Sequence, residues 1–118
     1  MTLIIGGAHS GKREYAIRTL GFDEKDMSSD INSDADVICD LHLMLRETED
    51  EAALLTLLKG KKAVICDEVG CGIIPADEHD RCWRERVGRV CCELAASADK
   101  VVRLNCGIAS VIKGEGVP

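Results

Sequence analysis

Aromatic side chains are nearly missing from this chain of 118 residues, which holds one Trp, one Tyr and one Phe, or 3% of its length. A core short of rings has to be filled by aliphatic side chains and cysteine. Long apolar runs are missing too. No stretch reaches the roughly 20 residues that a membrane-spanning helix needs, so no membrane partner is expected. Basic residues are in deficit, with 15 Lys and Arg against 21 Asp and Glu and a formal net charge of -6. General nucleic-acid binding requires a concentrated basic face, so nucleic acid is not an expected partner. The opening Met1-Thr-Leu-Ile-Ile-Gly has no basic region of the kind that starts a signal peptide, and a cytoplasmic protein is expected. The C-x-x-C spacing of zinc and dithiol sites is also lacking, and neither repeats nor an inter-domain linker break the chain.

Hydrophobic residues at 46% and charged residues at 31% describe a globular chain. Its length suits one domain over residues 1–118, burying roughly two-thirds of the surface that the unfolded chain exposes. The acid is uneven. Phe22 to Glu51 carries 11 acidic residues and only two basic ones, Lys25 and Arg46, which reads as a solvated connector. Seven cysteines, at 39, 66, 71, 82, 91, 92 and 106, form an odd set inside apolar runs. They are expected to be reduced, buried and inert, with metal or redox chemistry as the alternative.

Thr2–Ile5 is a short apolar run stopped by Gly6-Gly7 and predicts a buried strand. A helix is predicted over 11–20 with Gly21 as its stop, then a loop over 22–35 and a short strand over Val37–Cys39. Thr48-Glu-Asp-Glu51 has the pattern of a capping box and predicts a helix through Leu58, closed by Lys59 and Gly60. Ala63–Cys66 follows as a third strand. Asp77 is a good N-cap for a long helix to about Ser97, in which Trp83, Val87, Val90, Cys91, Leu94 and Ala98 recur at helical spacing. Val101–Asn105 reads as the last strand. Strands alternating with helices predict an α/β fold, a three-layer sandwich with a mainly parallel sheet.

Gly6-Gly7-Ala8-His9-Ser10-Gly11-Lys12 occupies the first seven positions of the phosphate-loop pattern G-x-x-x-x-G-K-[ST], between a strand and a helix. Glycines let backbone N–H groups converge on phosphate oxygens, and the lysine reaches the terminal phosphates. The bound group would then be GTP or ATP. Arg13 stands at the eighth position, where a hydroxyl ordinarily orients magnesium. Arginine cannot coordinate a cation, although it can form paired hydrogen bonds to phosphate. Carboxylates at neighbouring strand ends complete such a site. Asp67 and Glu68 follow the third strand and Asp40 the second, with capping or turn roles as the alternative for each. Lys12 and Glu68 are the expected catalytic groups, and Asp40 and Asp67 the expected holders of Mg2+.

These segments resemble a known family. Ile4-Ile-Gly-Gly-Ala-His-Ser-Gly-Lys12 is similar to the G-G-A-R-S-G-K-S loop of the bifunctional adenosylcobinamide kinase/adenosylcobinamide-phosphate guanylyltransferases. Asp67-Glu-Val-Gly-Cys-Gly-Ile-Ile-Pro75 resembles their N-E-V-G-M-G-I-V-P, a far more specific motif. Trp83-Arg-Glu-Arg-Val-Gly-Arg-Val resembles F-R-D-I-A-G-R-V-N, and Leu94-Ala-Ala-Ser-Ala-Asp-Lys-Val-Val resembles L-A-A-A-A-D-E-V. The resemblance covers about residues 1–20 and 63–113. It implies a P-loop NTPase-like fold, NTP-dependent phosphorylation of the aminopropanol hydroxyl of a corrinoid substrate, guanylyl transfer through a histidine, and trimers. Three features depart from the family pattern: Arg13 replaces serine, Asp67 replaces asparagine, and the segment between the two blocks is short. His42 is the only histidine in that segment, and its neighbours do not look like the family's histidine segment, so the nucleophile is not carried over. His9 takes the place of the loop arginine.

The reading is therefore an adenosylcobinamide kinase-like protein of cobalamin (vitamin B12) biosynthesis, without guanylyl transfer. The alternative is a non-catalytic nucleotide-binding or scaffold protein derived from the family, and a third is a thiol-based metal or redox protein. A shortened chain that leaves part of its sheet uncovered would bury that patch in a homo-oligomer.

Overall fold

A computed structural model describes residues 1–69 and 77–115. Gly70–Pro75 of the second motif, Cys71 among them, lies outside the described residues. The chain forms β1 (Thr2–Gly6), α1 (Lys12–Arg18), β2 (Met27–Ser28), β3 (Val37–Ile38), α2 (Leu41–Met44), α3 (Glu51–Lys59), β4 (Ala63–Asp67), α4 (Glu78–Ser97), β5 (Lys100–Asn105) and β6 (Ile108–Lys113). It is an α/β fold with one six-stranded sheet in the order β2-β3-β4-β1-β5-β6. The first five strands run parallel, and β6 lies antiparallel on the edge beside β5.

The sheet is apolar on both faces because helices cover both, so its inner strands read as unbroken hydrophobic runs. Leu3, Ile38, Val64 and Cys66 face α2, α3 and α4, against Leu41, Leu45, Leu54, Leu58, Val87, Val90 and Leu94. Ile4, Val37, Ala63, Ile65, Val102 and Leu104 face the other way, against Tyr15 and Ala16 of α1. The α4 stripe buries Val87, Val90 and Leu94, while Trp83 and Cys91 are half-buried against the same cluster. Fully burying a side chain such as Leu58 or Leu94 stabilises the fold by about 1.5–3 kcal/mol. Helix α1 stops two residues earlier than its pattern suggests. Gly21 takes a φ of 77° and Phe22 donates its N–H back to the Ala16 carbonyl, closing the turn in the left-handed manner glycine permits.

Several local expectations need correction. Helix α3 is capped by Asp50, whose carboxylate accepts from Ala53 N–H at 3.1 Å. Thr48 instead donates its hydroxyl to the Met44 carbonyl at 2.7 Å, closing the end of α2. Asp50→Ala is therefore expected to lower unfolding free energy by about 1 kcal/mol and Thr48→Ala by less, as read in paired urea melts. The 22–35 stretch is not all loop, since it holds a 3-10 turn over Glu24–Asp26 and β2. Val101–Asn105 is not the last strand. A two-residue turn at Cys106 (φ 50°) and Gly107 (φ 79°) folds the following segment back as β6.

The cysteines also divide differently. Cys39 and Cys66 are buried and Cys91 half-buried, but Cys82, Cys92 and Cys106 are exposed. Cys82 and Cys92 fall on the outward side of α4, and Cys106 on the hairpin tip, because a helix turns some residues of any apolar-looking run to solvent. Among the described residues no helix is long and apolar enough to cross a membrane.

Candidate functional site

The β1–α1 loop is built by close approach. A Cβ on Gly6 would stand 2.5 Å from Ser10 Oγ and 2.6 Å from the Leu104 carbonyl oxygen, so only glycine lets the strand end this tightly. The loop then turns through His9 (φ 57°) and Gly11 (φ 94°). From the other side, the β5–β6 turn rests on the loop. Gly107 donates its N–H to the Ser10 carbonyl at 2.8 Å, and a Cβ on Gly11 would come within 3.2 Å of the Gly107 Cα.

Lys12 opens α1 but points back under the loop, with only 6% of its surface exposed. Its ammonium donates to the Gly7 carbonyl, lies 3.4 Å from Ser10 Oγ, and pairs with Asp67 Oδ1 at 2.8 Å. A buried ammonium without such an anion would be strongly destabilising. Asp67 is held in turn from α2. Its own N–H donates to His42 Nδ1 at 3.2 Å, which places the imidazole proton on Nε2, 3.5 Å from Asp67 Oδ2. The His42 carbonyl accepts from Trp83 Nε1–H at 2.6 Å, and the Arg46 guanidinium stacks 3.7 Å from the Trp83 ring centroid. Arg86 donates to the carbonyls of Leu45 and Thr48, fixing the end of α2 to α4. A chain of contacts thus runs from α4 through His42 to Asp67 and Lys12.

These groups border a cleft of about 530 Å3. Ala8, His9, Ser10, Gly11, Lys12, Arg13, Asp40 and Asp67 all line it, together with Cys39, Ile65 and Gly107. That volume falls within the range of small-molecule sites, and the lining combines backbone with two cations, Lys12 and Arg13, and three carboxylates, Glu14, Asp40 and Asp67. Gly6 and Gly7, expected to contact the bound group, are not among the residues that line it. Asp40 begins α2 with a φ of 58°, and its carboxylate accepts from Ser29 Oγ at 2.8 Å. Burial raises the Cys39 thiol pKa, while the nearby Arg13 charge pulls it down and Asp40 pushes it up.

Glu68 is placed apart from this group. It does not line the cleft; Arg103 of β5 holds both its oxygens, Nε and Nη2 each at 2.9 Å. A paired guanidinium–carboxylate contact of this kind ties the end of β4 to β5 across β1. His42 and Gly107 were missed from the sequence. The Asn105-Cys-Gly turn was a readable hairpin signal for Gly107. His42 had none, because α2 is a single turn that begins on a non-glycine left-handed residue.

A model of the cobinamide kinase / cobinamide phosphate guanyltransferase family matches residues 35–112, about two-thirds of the chain. The chain belongs to this family. No curated protein matches it. The matched stretch runs from just before β3 into β6 and includes Asp40, His42, Asp67, Glu68 and Gly107. It therefore takes in residues 35–62, which lay outside the resemblance read from motifs, and begins beyond the Gly6–Arg13 loop. Membership in the cobinamide kinase family rests on residues 35–112, which include Asp40, Asp67 and Gly107 of the cleft lining.

Proposed function

We propose that this cleft binds the phosphates of GTP or ATP in a P-loop NTPase-like domain, and that the protein is an adenosylcobinamide kinase-like enzyme of cytoplasmic cobalamin biosynthesis. The observation that carries this reading is Lys12, buried at the foot of the cleft between the loop and Asp67. An ammonium has three N–H donors, so it can keep Asp67 and still reach phosphate oxygens. Asp67, oriented by His42, holds that cation in place, and Arg13 offers its guanidinium to the same phosphates. Magnesium fits this cleft in the way it usually binds, through one or two carboxylates and substrate phosphates. Asp40 and Asp67 would be its protein ligands, and when bound it neutralises charge developing on the transferred phosphoryl group. The acceptor would be the hydroxyl of a corrinoid, and the exposed Ile108 and Ile112 of the β6 edge would favour a homo-oligomer. Guanylyl transfer is not part of the proposal, since no histidine here takes the family nucleophile's place by resemblance.

A non-catalytic nucleotide binder is the second reading, and Arg13 favours it, because no hydroxyl follows Lys12 to orient a metal. Titrating GTP and ATP with and without magnesium separates the two, followed by an assay for NTP-dependent phosphorylation of cobinamide. Magnesium-dependent binding with turnover supports the kinase. Binding that ignores magnesium, with no turnover, supports the second reading, and no heat from either nucleotide overturns both. Arg13→Ser is expected to raise the magnesium dependence of affinity by about tenfold, equal to about 1.4 kcal/mol. An unchanged dependence would mean that position 13 does not govern the metal.

A further inference from the structure

On the sheet face covered by α2, α3 and α4, one residue before Asp67, the buried Cys66 of β4 meets Cys91 of α4. Their sulfurs lie 3.7 Å apart, in van der Waals and hydrogen-bonding contact, and both are free thiols. We propose that Cys66 and Cys91 form an oxidation site that reacts with hydroperoxides and closes to a reversible disulfide.

The two positions are suited to unequal roles. Cys66 is fully buried and its Sγ lies 3.4 Å from the Asp67 carbonyl, whereas Cys91 is half-buried on the rim of the same apolar cluster. Cys91, the less buried of the two, is the sulfur an oxidant reaches first, and Cys66 lies in contact behind it to resolve the product. In the first step Cys91 sulfur attacks one peroxide oxygen. The O–O bond breaks, a sulfenic acid forms, and the other oxygen leaves as hydroxide and takes up a proton to become water. In the second, Cys66 sulfur attacks the Cys91 sulfur, the S–O bond breaks, and the hydroxyl leaves with the Cys66 proton as a second water. Two thiols and one hydroperoxide give one disulfide and two waters for hydrogen peroxide, or water and an alcohol for an organic hydroperoxide. Both sulfurs are oxidised and both peroxide oxygens reduced, and a dithiol reductant reverses the bond by exchange.

None of the exposed thiols has a comparable partner among the described contacts: Cys82, Cys92 and Cys106 share no sulfur contact with each other or with the pair. The site joins α4 to the strand end that presents Asp67, and it stands whether or not the cleft binds nucleotide.

The test is mass mapping of the full chain after treatment with equimolar hydrogen peroxide, blocking of remaining thiols with N-ethylmaleimide, and digestion without reductant. One linked peptide joining Cys66 to Cys91 is expected, with loss of alkylation at both and full recovery on dithiothreitol. In Cys66→Ser the link disappears and Cys91 becomes the main position trapped by dimedone. Because the wild-type map needs no variant, a Cys66→Ser chain that fails to fold leaves the test intact. Cys66 and Cys91 both still alkylated after peroxide, or Cys91 carried to sulfinic acid with no linked peptide, would overturn the proposal.

Discussion

Lys12→Ala is expected to weaken GTP and ATP binding by at least about 100-fold, beyond what titration calorimetry detects for a micromolar site. Charge-assisted hydrogen bonds contribute about 1.5–3 kcal/mol each, and each 1.4 kcal/mol is a factor of ten. The substitution also strands Asp67, whose Oδ1 sits 2.8 Å from the ammonium in the native chain. Because a quarter of the Asp67 side chain is exposed, the stability loss should fall near about 1–3 kcal/mol rather than at the full cost of an isolated buried charge. Pairing the variant with Asp67→Asn separates the two effects. If Lys12 serves the nucleotide, the double variant recovers stability in thermal melts while binding stays lost. Wild-type affinity in Lys12→Ala would remove the phosphate-loop reading altogether.

Gly6→Ala should be the most damaging single-methyl change in the loop. Its Cβ would meet Ser10 Oγ at 2.5 Å and the Leu104 carbonyl oxygen at 2.6 Å, and the second of these is backbone of β5 that cannot swing aside. Either the loop lifts from β5 or β5 shifts from β1. Overpacking of this kind costs about 1–3 kcal/mol. Nucleotide affinity should fall with it, because the displaced loop carries Ser10 and Lys12. Gly7→Ala is the matched control: nothing lies within 4 Å of its added Cβ, so urea melts should place it close to wild type. Equal midpoints for the two variants would show that the close approach at Gly6 is not a constraint.

Much of the frame was legible along the chain. Thr2–Gly6, Ala63–Asp67 and the Asp77-capped helix from Glu78 to Ser97 all emerge near their expected places. Their signals are local: apolar runs, glycine stops, a capping oxygen and a 3.6-residue stripe all act within a turn or two of backbone. The strand–loop–helix around Lys12 was legible for the same reason, since its strand, glycines and lysine are contiguous. The cap of α3 was misread by two residues because Thr48 and Asp50 are both competent caps. The choice was made by the end of α2, which takes the Thr48 hydroxyl.

Sequence by itself determined the alternation of strands and helices, the strand–loop–helix that carries Lys12, and the acidic residues at the strand ends. Tertiary structure decided which of those acids matter to the lysine. Strand order puts β4 beside β1, so Asp67 reaches Lys12, whereas Glu68, one residue on, is taken by Arg103 from β5. It also decided the role of His42, on a helix too short to form without the packing of α4 behind it. The contact between Cys66 and Cys91 has the same origin. Pairings between residues distant in sequence follow from the order in which strands assemble and helices cover them, and no local pattern of side chains encodes that order.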